Sequence, residues 1–115
     1  GDALSDALFV EAVLALKAGD DERAVDDLNA ALALPAVQGH ERNLLLYLRG
    51  RALAGGGEQA AAARDFSKIV SDPGADAKLA AAASDSLDKT QRIRHYRLDA
   101  ETLPLLFEYT DLQNY

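Results

Sequence analysis

The sequence predicts an all-α fold: a short α-solenoid of antiparallel helix pairs, with a C-terminal helix after it. Two observations carry this. The first is an internal repeat. Leu8-x2-Glu11-Ala12-x2-Ala15, then Gly19-Asp20, then Ala24-x3-Leu28-x2-Ala31 and Pro35, returns as Leu46-x2-Arg49-Gly50-x2-Leu53, Gly57-Glu58, Ala62-x3-Phe66-x2-Ile69 and Pro73, an offset of 38 residues. The second is spacing. Within each copy apolar or small residues recur at i, i+4 and i+7, which is one face of an α-helix. Composition agrees, since Ala and Leu abound and β-branched residues are few.

In the first copy, about residues 5–37, Leu8, Ala12 and Ala15 predict a helix over 3–18. Gly19-Asp20 breaks it, and Ala24, Leu28 and Ala31 predict the next over 21–34. The second copy, about 43–74, gives helices over 41–54 and 58–71, broken at Gly55-Gly56-Gly57. Ala12 and Ala24 stand twelve residues apart across a tight turn, as do Gly50 and Ala62, so small residues face each other where two helices approach. One such pair cannot bury its own apolar face, and copies must therefore stack. Leu8, Ala12, Ala24, Leu28, Leu46, Gly50, Leu53, Ala62, Phe66 and Ile69 form the expected core.

After Pro73, Ala80, Ser84 and Leu87 keep the helical spacing without a second partner helix, so 75–95 reads as one closing helix of a repeat domain spanning 1–97. Residues 98–115 read as a separate apolar docking segment. Asp99 can cap a helix, Pro104 suits a first turn, and Leu103, Leu105, Leu106 and Phe107 predict a helix over 103–112. Glu11 and Arg49 hold equivalent places on the leading helices, which predicts a bridge between copies.

The pattern resembles the tetratricopeptide repeat, a helix–turn–helix unit of about 34 residues with a W-x2-L-G-x2-Y…A-x3-F…P signature. Gly50, Ala62, Phe66 and Pro73 match it best, with Ala12 and Leu28 standing for the Gly and the aromatic in the first copy. The resemblance covers about residues 5–90 and implies a concave face, lined by the first helix of each copy, that binds a peptide or an amphipathic helix of another protein. By matching positions that lining is Phe9, Val10, Val13, Leu16 and Lys17, then Tyr47, Leu48 and Arg51, then Lys78, Ala81, Ala82 and Asp85. Chaperone-binding members of the family clamp a C-terminal carboxylate. At the clamp positions this chain has Phe9, Val13, Leu48, Lys78 and Ala82, and only Lys78 agrees, so that activity does not carry over.

The net charge is −7, unevenly spread. Asp20, Asp21, Glu22, Asp26 and Asp27 crowd one helix start, while Lys89, Arg92, Arg94, His95 and Arg97 make a basic stretch. Both complement helix dipoles, and Arg92, Arg94, His95 and Arg97 are also a candidate docking patch for an acidic partner. An acidic domain with Tyr96 as the one aromatic in its basic stretch argues against nucleic acid. No apolar run is long enough to cross a bilayer. With no cysteine, disulfides and Cys-based zinc sites are excluded. His40 and His95 have no ligand spacing, no serine has a nucleophile-elbow context, and Gly55-Gly56-Gly57 lacks the Gly-Lys-Ser/Thr of a phosphate loop. The expectation is a non-enzymatic interaction module with no cofactor or metal. Two other readings stay open. One is self-association, a homodimer paired through residues 98–115. The other is a regulatory appendage of a larger protein, since the chain has no Met even at position 1. The compartment stays open, with the cytoplasm favoured.

Overall fold

A computed structural model describes residues 3–93. Those residues are helical apart from short turns, in the order α1 (Ala3–Lys17), α2 (Asp21–Leu32), α3 (Gly39–Gly55) and α4 (Gln59–Val70), followed by α5 over 77–93. The expected helix over 103–112, and the whole segment 98–115, lie outside the described residues.

The repeat in the sequence is a repeat in the backbone. Asp20 N–H donates to the Ala15 carbonyl at 2.8 Å, and Glu58 N–H donates to the Leu53 carbonyl at 2.8 Å. Ala33 N–H donates to Asn29 at 3.1 Å, and Ser71 N–H to Ser67 at 2.9 Å. Each pair stands 38 residues from its counterpart, as do the starts of α2 and α4 and of α3 and α5. Gly19 and Gly57 take left-handed φ angles of +78° and +87°, a conformation that L side chains resist. Those two glycines turn each chain pair back on itself.

Helices pack on their sequence neighbours, α1 on α2, α2 on α3 and α3 on α4, and α1 touches α3 more lightly. The core is divided accordingly. Ala12, Leu28, Ala31, Val37 and Leu45 form one cluster, with Ala15, Ala24 and Ala52 beside it. Leu46, Ala62, Phe66, Ile69, Leu79 and Ala83 form another. Each helix pair is thus closed by the first helix of the next unit, α3 over the first pair and α5 over the second. Leu32 packs against both clusters and joins them.

Of the ten expected core residues, eight are buried; Leu8 and Leu53 are half-buried against the clusters. The register of α5 differs from expectation. Leu79, Ala83 and Thr90 face inward, whereas Ala80 is half-buried and Ser84 exposed. Reading Ala80 as the successor of Leu46 assumes the shorter family spacing, but the units repeat every 38 residues, and Ala83 is the successor of Leu45.

Small residues set the spacing of each pair, by a different exchange in each. Gly50 has no side chain because the Phe66 ring fills the place, with Cε1 only 2.6 Å from where a Cβ would sit. In the first unit the same two positions are Ala12 and Leu28, so a methyl is added on one helix and a smaller side chain stands on the other.

The expected bridge between Glu11 and Arg49 is absent. Arg49 turns to its own pair and grips Asp65 on α4, with Nε to Oδ2 and Nη2 to Oδ1 both at 2.8 Å. Its Nη1 also donates to Asn29 Oδ1 of α2 at 3.0 Å. The side-chain hydrogen bond to Asp65 raises the Arg49 pKa; burial opposes this and the carboxylate charge adds to it. Residues 11 and 27 hold the equivalent positions in the first unit, and both are acidic. Glu11 therefore lies in solvent near Arg23, at 3.9 Å, and a buried oxygen of Asp27 is left without a hydrogen-bond partner.

Candidate functional site

A groove of about 400 Å³ opens where α3, α4 and α5 meet. Tyr47, Arg51 and Ala54 of α3 form one wall, Ser86, Lys89, Thr90 and Ile93 of α5 the other, and Gln59 and Phe66 of α4 the floor. The walls follow from helical spacing: Tyr47, Arg51 and Ala54 stand at i, i+4 and i+7, and so do Ser86, Thr90 and Ile93.

Ring contacts hold the α3 wall in place. Tyr47 packs its ring against the buried Phe66, centroids 5.8 Å apart and planes tilted by 57°. The Arg51 guanidinium lies over the Tyr47 ring, 5.9 Å from its centroid, a cation–π contact. Thr90 is buried on α5 and donates its hydroxyl to the Ser86 carbonyl at 2.8 Å. At the floor, Gln59 is buried. Its Nε2 donates to the Ala54 carbonyl at 3.0 Å, and because that carbonyl can only accept, the amide orientation is fixed. Gln59 Oε1 is left without a hydrogen-bond partner. The charged residues lining the groove are Arg51 and Lys89, both cationic.

Of the residues expected to line a binding face, Tyr47 and Arg51 meet here. Phe9 and Val13 hold the same two positions one unit earlier, on α1, where Phe9 is partly exposed and Val13 half-buried. Val10 and Lys17 are exposed on α1. Lys78 and Asp85 are exposed on α5 but do not line the groove. Arg92 is exposed near the end of α5, and Arg94, His95 and Arg97 lie outside the described residues. Sequence reasoning missed Lys89 as a groove residue. The signal was available, since Lys89 stands one repeat after Arg51, as Asp85 does after Tyr47.

A second depression of about 320 Å³ lies between α2 and the end of α3, and Asp21, Glu22, Asp26 and Glu58 make it acidic. Asp21 approaches the helix end so closely that a Cβ on Gly55 would lie 2.7 Å from its Oδ2. Among the described residues, no group of three or more His, Cys, Asp and Glu side chains could hold a metal ion. No described helix is long and apolar enough to cross a membrane. On the far side of the molecule's first pair, α1 leaves Leu4, Val10 and Leu14 more than half exposed.

No family model, curated protein or solved structure matches this chain.

Proposed function

We propose that this chain is a non-enzymatic interaction module, related in kind to tetratricopeptide repeats, that binds a peptide or amphipathic helix of another protein. The groove between α3 and α5 supports this reading. It joins the apolar surface of Tyr47, Phe66 and Ile93 to two cations, Arg51 and Lys89, which is the mixture a peptide-binding surface uses: apolar area for affinity and a few placed polar groups for orientation. Selection of a random peptide library against the purified chain tests it. Binders are expected, and Tyr47→Ala or Arg51→Glu should release them. A library that yields no binder sensitive to either change refutes the reading.

A second reading is self-association, and one observation favours it. Val10 and Leu14 stand one turn apart on α1, and both are more than half exposed. Sedimentation equilibrium separates the two. A dimer that Leu14→Glu dissociates supports self-association, and a monomer at all concentrations removes it.

A further inference from the structure

We infer that the groove between α3 and α5 is the docking site of this chain's own residues 98–115. The occupant follows from charge, position and composition. That segment carries Asp99, Glu101, Glu108 and Asp111 and no Lys, Arg or His. The charges lining the groove are the cations Arg51 and Lys89, and among the described residues neither has an ion pair. In a chain of net charge −7, a groove of the opposite sign beside an acidic segment is a matched pair. The segment is also apolar, with Leu105, Leu106 and Phe107 in succession, and the groove offers Tyr47, Phe66 and Ile93.

Position makes the match intramolecular. Ile93 is both the last described residue of α5 and part of the groove wall. From Ile93 back to Ser86 the groove runs about 10 Å along the helix, at roughly 1.5 Å per residue. The four residues 94–97 can span up to about 13 Å when extended, so residue 98 can reach any point of the wall. A segment tethered that closely meets the groove at an effective concentration on the order of millimolar. The inference rests on the groove being a binding surface. It adds that an external partner must first displace the chain's own segment.

Spin labelling of the full chain tests this, and the absence of cysteine makes single labels clean. Asp85→Cys carries a nitroxide beside the groove, and Asp6→Cys carries one on α1 as a control. The expected result is broadening of backbone amide signals within 98–115 by the Asp85→Cys label, none by the Asp6→Cys label, and loss of the broadening when Arg51→Glu and Lys89→Glu are added. Absence of broadening from the Asp85→Cys label overturns the proposal, and so does equal broadening from the Asp6→Cys label or broadening that survives both charge reversals. Mixing nitroxide-labelled chain with isotope-labelled, nitroxide-free chain separates a second copy: broadening that arises between molecules overturns the intramolecular assignment. In each of these failures the binding of an external peptide still stands or falls on the library selection alone.

Discussion

Arg49 and Asp65 meet through two parallel hydrogen bonds of 2.8 Å, and the two partners are unequally buried: the carboxylate side chain is 3% exposed and the guanidinium side chain 21%. The inequality predicts an asymmetry. Arg49→Ala strands a buried carboxylate and should cost about 3–5 kcal/mol. Asp65→Ala leaves an arginine that can turn to solvent and should cost about 1–3 kcal/mol. Arg49→Met with Asp65→Leu should approach wild-type stability, because apolar pairs of similar volume replace buried ion pairs with little loss. Urea unfolding of the three variants measures this, and equal costs for the two single changes would contradict the unequal burial.

The first unit lacks that fork, and a single change should install it. Glu11 holds the position of Arg49, and Asp27 that of Asp65, with a buried Asp27 oxygen unpaired. Glu11→Arg should pair with Asp27 and stabilise the chain by about 1 kcal/mol, the usual scale for satisfying such a group. The exposed contact it gives up, Glu11 with Arg23, contributes at most about 1 kcal/mol. A lowered melting temperature for Glu11→Arg would show that the two units do not place this pair alike.

Gly50→Ala should destabilise. A Cβ there lies 2.6 Å from the Phe66 ring, and overpacking of about 1–3 kcal/mol outweighs the roughly 1 kcal/mol that alanine gains in helix propensity. In a Phe66→Leu background the sign should reverse, because Ala with Leu is the pairing found at Ala12 and Leu28. Gly50→Ala that is equally harmful in both backgrounds would remove the ring as its cause.

Much of this was legible in the sequence. The repeat, the four first helices and most of the core followed from Leu8 through Ile69 because helical spacing is a local property. Which residue Arg49 would choose was not legible. The i, i+4 pattern places Arg49 on a leading helix but says nothing of the rotamer, and nothing in the spacing sets Asp65 apart from acidic residues that lie in solvent. Asn43 carries no more signal: it is buried and donates to Asp72 Oδ2 at 2.8 Å. The groove was half legible. Tyr47 and Arg51 follow from matching positions, but the α5 wall does not, because the family spacing aligns Ala80 with Leu46 where the 38-residue repeat aligns Ser84.

The helix caps differ between units in a way that can be measured. Asp20 Oδ1 accepts from Arg23 N–H at 3.2 Å, whereas the equivalent Glu58 makes no side-chain cap bond. Asp20→Ala should therefore cost about 0.5–2 kcal/mol, and Glu58→Ala clearly less. Thermal unfolding of both variants checks the order, and a reversed order would mean that the Asp20 bond contributes nothing.

Asp72 gives the chain an acid-sensitive contact. The Asn43 amide first, and the Gly74 N–H at 2.9 Å second, hold its carboxyl below the ordinary range, with burial opposing. A depressed folded-state pKa contributes stability above the unfolded value, about 3.9, and loses it as pH falls through the folded value. Asn43→Ala should thus lower the melting temperature at neutral pH, and the gap to wild type should narrow below about pH 4. A gap that is constant from pH 7 to pH 2 would detach Asn43 from this titration.

The shared turn geometry of Gly19 and Gly57 makes 38 residues, not one, the natural increment of length in this chain. A single residue inserted within α3 rotates everything after it by about 100° and moves Tyr47 or Arg51 off its wall. A whole duplicated unit leaves every local bond in place and simply adds another wall. Gene duplication can therefore lengthen the surface of such a chain with no intermediate that has to survive a broken core, and the spacing between successive contacts on a long ligand is inherited from the turn rather than selected anew.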